Sequence, residues 1–239
     1  MGCSIPGLVA VITIGIATVV SSLALGLPFW STSKVTESGQ YTNVDFVAGL
    51  WGYCSDLDIS NSTSKESHLD NCYLFHTSKK FQSSHYTESE ELSKFSTFSV
   101  CGAYSNDKAG YVNSHARMAG LDNEMFDKFI SRSCGATGNA SLLFGVLSAM
   151  LGLLGFVFAT LSITCCKSKS SFVMISKVVL IMAFVSTLLT FFLWIAQAHP
   201  LSKKDEVHVS ASFFLSIIAS LFYLISVVLV ARHAAMGTK

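Results

Sequence analysis

Four stretches of this chain are each long and apolar enough to cross a bilayer, and nothing else in the sequence restricts the fold as strongly. They run near Gly7 to Phe29, "GLVAVITIGIATVVSSLALGLPF", near Ser141 to Cys165, near Phe172 to Gln197, and near Ala211 to Ala231. Crossing the hydrocarbon core takes about 20 apolar residues, and Lys177 is the one formally charged residue in the four runs. Hydrocarbon offers no water to backbone N–H and C=O groups, so each run is expected to be a helix. Composition agrees: 51% hydrophobic residues, 13% charged and a mean hydropathy of +0.51 leave too few charges for a water-facing surface. A net charge of +1 without a basic cluster argues against a nucleic-acid partner. A cleaved signal peptide is the alternative for the first run, with "ALG" at Ala24 to Gly26 as its cleavage site. Against that reading, no positive residue precedes the run, and the run exceeds a usual signal core.

Four spans place both termini on one side. The segments there carry Lys167, Lys169, Arg232 and Lys239 and no acid, which makes that side the cytoplasm by the positive-inside rule. The expected layout is a cytoplasmic N-terminus and first span over 1–29, a large outer loop over 30–138, and a second span over 139–165. A cytoplasmic loop over 166–171, a third span over 172–197, a short outer loop over 198–210, a fourth span over 211–231 and a cytoplasmic tail over 232–239 complete it. Lys177 lies near the cytoplasmic face, where its stem can snorkel to the interface. The large loop is mildly acidic, with nine Lys and Arg against thirteen Asp and Glu. A large loop between the first two spans excludes tetraspanins, whose large loop joins the third and fourth. Connexins, with a long cytoplasmic loop, and desaturases, with cytosolic His clusters, are excluded as well.

The seven cysteines sort by compartment. Cys54, Cys72, Cys101 and Cys134 lie in the outer loop, where conditions are oxidising, and Cys3, Cys165 and Cys166 lie at the reducing inner face. Four outer cysteines allow three pairings, which sequence alone does not separate; nearest-neighbour pairing joins Cys54 to Cys72 and Cys101 to Cys134. Cys3, Cys165 and Cys166 are candidate palmitoylation sites, with ordinary reduced thiols as the alternative. "MGCSIP" has Pro6 where a myristoylation signal needs Ser or Thr. Asn61 in "NST" is a candidate glycosylation site; Asn139 in "NAS" also fits but abuts the second span.

No catalytic chemistry is legible. The loop histidines His68, His76, His85 and His115 match no zinc spacing, and no nucleophile elbow, zincin motif or phosphate-binding glycine loop occurs. The spans hold hydroxyl residues but no carboxylate or histidine, unlike a transporter or pump. No enzyme activity, cofactor, metal or small-molecule substrate is therefore expected. On the second span Gly145 pairs with Ala149 and Ser148 with Gly152 one turn apart, for packing within the bundle or for docking another membrane protein. In the loop, "SGQYTNVDFVAGLWGYC" reads as two short strands. "GLDNEMFDKFISRSCG" reads as a helix, capped by Asp122, with Met125, Phe126, Phe129 and Ile130 on one face and Gly135 after its end. The loop is thus expected to be a small sheet plus a helix.

Trp30 stands at the outer end of the first span, and Gly49, Leu50, Trp51, Cys54 and Cys72 follow in the first loop. This order resembles the W…G-L-W…C…C signature of the claudin and peripheral myelin protein superfamily, which includes calcium-channel gamma subunits and related glutamate-receptor auxiliary subunits. The likeness covers the topology of the whole chain, and sequence detail from Trp30 to Cys72. It implies a claudin-like, mostly α fold: a four-helix transmembrane bundle with an extracellular β-sheet domain, to which the second loop adds one strand. It also implies a Cys54–Cys72 disulfide, and Trp30, Gly49, Leu50 and Trp51 anchoring the sheet to the bundle at the outer leaflet.

Members of that superfamily are not enzymes; they seal junctions by polymerising, or they bind a channel or receptor and alter its gating and trafficking. Here the first loop is much longer than in claudins, Cys101 and Cys134 are additional, the second loop is short, and the tail "AAMGTK" lacks a junction-scaffold ending. These departures favour an auxiliary subunit of an ion channel or receptor at the plasma membrane, whose partners are the bilayer and other membrane proteins. A claudin-type adhesion or junction protein is the alternative.

Overall fold

Each apolar run becomes one continuous helix. The computed structural model describes residues 5–38, 41–59, 67–77, 81–82, 99–164, 170–203 and 207–237. Among these, the α-helices in chain order are α1 (Ile5–Gly26), α2 (Val100–Asn106), α3 (Lys108–Met118), α4 (Asn123–Cys134), α5 (Ala136–Thr164), α6 (Ser170–Ala198) and α7 (Ala211–Gly237). Four of them, α1, α5, α6 and α7, are long and apolar enough to cross a membrane; this is a multi-pass membrane protein. Three limits differ by three residues or more from the hydropathy reading. α1 ends at Gly26 rather than near Phe29, α5 begins at Ala136 rather than near Ser141, and α7 runs to Gly237 rather than ending near Ala231. Helical hydrogen bonding does not stop where the apolar run stops, so polar residues such as Asn139 and Arg232 extend the helices.

The chain divides into two compact units. The first comprises Met1–Gly26, Ser141–Phe192 and Ser212–Lys239 and is the helix bundle. Its buried centre is built from small and medium side chains: Ala10, Ile14 and Ala17 of α1, Ala159 of α5, Leu180 and Ala183 of α6, Tyr223 and Val230 of α7. Lipid tails are as apolar as leucine, so close packing and hydrogen bonds hold such helices together. Hydroxyls tie them pairwise: Ser148 Oγ lies 3.1 Å from Ser21 Oγ and 2.5 Å from Thr187 Oγ1. Ser226 donates to Thr13 Oγ1 at 3.1 Å, and Ser176 to the Gly155 carbonyl at 3.4 Å. Each such bond in a membrane contributes about 0.6 kcal/mol.

The second unit, Leu27–Ala140 with Leu193–Ala211, is broader than the expected loop 30–138, because the end of α6 and the second loop belong to it. Its antiparallel sheet comprises β1 (Ser31–Ser38), β2 (Tyr41–Ala48), β3 (Gly52–Ile59), β4 (Ser67–Leu74), β5 (Phe81–Gln82) and β6 (Val207–Val209), in the order β5-β4-β3-β2-β1-β6. β2 and β3 are the two strands legible in the sequence. β6 is the second loop's strand, pairing Ser31 with Val209 and Ser33 with Val207. Cys54 stands opposite Cys72 on β3 and β4, and the two form a disulfide.

Among the described residues, three helices rather than one accompany the sheet. Ser99 caps α2, accepting from Gly102 N at 3.1 Å, and Asp107 caps α3, accepting from Gly110 N at 3.1 Å. α4 matches its expectation: the Asp122 carboxylate accepts from Glu124 N at 2.9 Å, Phe126, Phe129 and Ile130 are fully buried, and Gly135 follows its end. Gly120, at φ 61°, makes the left-handed turn between α3 and α4 that a side chain would strain. A second disulfide, Cys101–Cys134, ties α2 to α4.

Candidate functional site: the signature hairpin and its helical cover

The G-L-W-G stretch is the tight connection from β2 to β3. Gly49 N donates to the Gly52 carbonyl at 2.8 Å, and Phe75 N to the Trp51 carbonyl at 2.8 Å. Both glycines are required by close backbone approach. A Cβ on Gly49 would lie 2.7 Å from Pro28 Cα, and one on Gly52 would collide with the Tyr73 carbonyl oxygen. Leu50 points inward and is 2% exposed. Trp51 does not share that burial: it is 42% exposed in this chain. Within this short connection Leu50 takes the inner place and Trp51 the outer one. Of the four residues expected to anchor the sheet, Trp30, Gly49 and Leu50 are buried and the Trp51 ring faces outward.

Trp30 is 1% exposed and ties the first loop to the second. Its N–H donates to the Ala48 carbonyl and its carbonyl accepts from Ser210 N, both at 3.0 Å. Its ring packs on Trp194 at 5.5 Å between centroids, and Trp194 meets Phe129 edge-on at 6.5 Å. Beside these, Gln197 Nε2 donates to Ser133 Oγ at 2.9 Å, a buried polar contact from α6 to α4. The sequence signals Trp194 only as an aromatic near the end of a span; nothing in it pointed to Ser133 or Gln197.

The helical cover closes over the sheet through aromatic rings. Tyr53 of β3 meets Phe126 edge-on at 5.6 Å and Tyr73 of β4 at 5.3 Å; Phe46 meets Phe129 at 6.3 Å. The Tyr53 and Tyr111 hydroxyls share a hydrogen bond of 2.6 Å. Burial pushes both phenols well above the ordinary tyrosine range; for Tyr53 the neighbouring Tyr111 and Tyr73 add to this, and for Tyr111 the shared bond partly offsets it. Both stay neutral at any physiological pH. His115 stacks on Tyr111 at 4.0 Å and places Nδ1 2.9 Å from Ser114 Oγ. At the outer side of the cover Tyr104 donates to Asp127 at 2.6 Å, and Lys108 pairs with the same carboxylate at 3.0 Å. Burial, then this bond, raises the Tyr104 phenol, and the Asp127 bond raises Lys108.

The small residues of α5 are used within the bundle. Gly145, Ser148 and Gly152 are buried and Ala149 is half-buried. A Cβ on Gly152 would overlap Tyr223 Oη and sit 2.8 Å from Thr18 Oγ1. Packing of the chain against itself thus occupies the surface that could have received a partner. Cys3, Cys165, Cys166 and Asn61 lie outside the described residues. Among the described residues no three His, Cys, Asp or Glu side chains gather as they would around a metal ion. No protein-family model matches the chain, and no curated protein matches it.

Proposed function

We propose that this is a claudin-like, non-enzymatic auxiliary subunit of a larger membrane complex, an ion channel or receptor, at the plasma membrane. Its termini are cytoplasmic and its sheet unit is extracellular. The observation that carries the reading is the unequal use of the two loops. The second is spent inside the chain's own sheet as β6, with Leu201 buried beside it, and leaves little to reach a neighbouring cell. The first is enlarged by the helical cover α2–α4, stapled by Cys101–Cys134, which gives a partner a broad folded surface. Two disulfides in the sheet unit support an oxidising, extracellular side. Because Ser148 and Gly152 are occupied within the bundle, docking falls to the sheet unit, with Trp51 as an exposed tryptophan, the residue type enriched at binding hot spots.

Purification from native membranes in mild detergent, followed by mass spectrometry of co-purifying chains, tests this. A stoichiometric channel or receptor is the expected result. Self-polymers enriched at cell contacts, with no such partner, would establish the adhesion reading instead. Orientation has its own test: a glycosidase-sensitive shift on gels that disappears in Asn61→Gln places the large loop outside. Hydroxylamine-sensitive acylation lost on substituting Cys3, Cys165 and Cys166 would identify those thiols as palmitoylated.

A further inference from the structure

Where α6 ends, α4 lies beside it across a cavity of about 240 Å³ that the proposed function leaves unused. Glu124, Met125, Lys128 and Arg132 of α4 line one wall, and His199 and Pro200, just past α6, line the other. Arg132 Nη1 donates to the Ala196 carbonyl at 2.5 Å. That carbonyl is in the last turn of a span-length helix, where carbonyls have no helical partner. The guanidinium therefore sits at the depth where a spanning helix leaves the hydrocarbon. One residue back along α6, Ile195 is 44% exposed, as an acyl chain requires.

The lining chemistry fits what a bilayer presents at that depth. Arg132 keeps four N–H donors after the Ala196 bond, Lys128 adds an ammonium, and the His199 ring adds a further N–H. Glu124, ion-paired to Lys128, is the one carboxylate of the wall. Met125 and Pro200 supply apolar surface for glycerol carbons. We infer that this cavity holds the headgroup of a phospholipid, its phosphodiester on Lys128, Arg132 and His199 and its quaternary ammonium beside Glu124. The pairing of cations with one acid suits a zwitterionic headgroup, and the apolar helix face below it favours a lipid over a soluble anion.

The test uses the full chain in detergent, with native mass spectrometry after addition of phosphatidylcholine, diacylglycerol or inorganic phosphate. The variant Lys128→Gln/His199→Gln keeps Arg132 on Ala196. It is expected to retain about fivefold less phosphatidylcholine than the wild type, on the order of 1 kcal/mol for the lost Lys128 charge. Diacylglycerol, which lacks the phosphate, is expected to be retained poorly by both. Equal phosphatidylcholine retention by variant and wild type, or diacylglycerol retained as well as phosphatidylcholine, overturns the assignment. Competition by inorganic phosphate at the lipid's own concentration overturns it too, in favour of a soluble anion. If the variant does not fold, a photoreactive phosphatidylcholine on the wild type decides: labelling within 123–134 or 199–203 supports the site, and labelling confined to other segments sinks it.

Discussion

Gly152 distinguishes a bundle that packs on itself from one that offers a small-residue face to a partner. A methyl group at this position overlaps Tyr223 Oη, lies 2.8 Å from Thr18 Oγ1 and 2.9 Å from Tyr223 Cζ. Tyr223 is fully buried, so its ring cannot swing out and the helices must separate. Overpacking of this kind costs about 1–3 kcal/mol. The Tyr223 bond to the Ser148 carbonyl, already long at 3.5 Å, would be lost as well and adds on the order of 0.6 kcal/mol. Gly152→Ala is therefore expected to destabilise the bundle by about 1.6–3.6 kcal/mol, read as reversible unfolding of the full chain in bicelles. Tyr223→Phe removes the nearest of the three atoms. Alone it should cost under about 1 kcal/mol, and combined with Gly152→Ala it should recover about half the loss. A Gly152→Ala variant as stable as wild type, or a double variant whose losses simply add, would refute this packing.

Three further outcomes follow from the sheet unit. Tyr53 and Tyr111 are neutral and have raised pKa values in the fold, so their stabilising contribution is complete below about pH 10 and declines as pH rises above it. Chemical denaturation between pH 9 and 12 should show stability falling by up to about 2.7 kcal/mol per pH unit beyond pH 10, and by about half that in Tyr111→Phe. Replacing Cys101 and Cys134 together with Ser opens a disulfide of sequence separation 33 and should cost about 3–4 kcal/mol, seen as a lowered melting temperature and faster proteolysis between α2 and α4. The two signature tryptophans should part: Trp30→Ala is expected to cost about 3–5 kcal/mol, whereas Trp51→Ala should change stability by less than about 1 kcal/mol while weakening co-purification of the partner.

What the sequence discloses follows from how local each determinant is. The spans are legible because a continuous apolar run carries its own reason to be helical. α4 is legible because Asp122, four apolar side chains on one face and Gly135 lie within one short segment. α2 and α3 are not. They are short, carry Gly102 and Gly110, and are held by contacts from distant strands, such as Tyr53 on Tyr111. β4 shows no alternation, and its place follows from Cys72 standing opposite Cys54. β6 has three residues, too few for any periodic signal, and is fixed by its pairing with β1. The signature identifies the turn between β2 and β3, but the outward direction of Trp51 appears only once Leu50 is seen to fill the inner place.

The pairing of β6 with β1 also orders biosynthesis. Ser31 is synthesised well before its partner Val209, with two spans between them. At about 5–20 residues per second the first strand waits on the order of ten seconds or more for its neighbour. In that interval one border of the sheet stays unguarded, with bare N–H and C=O groups that any passing strand can engage. Chaperones have that window in which to act, and a chain cut short after α6 would never close it.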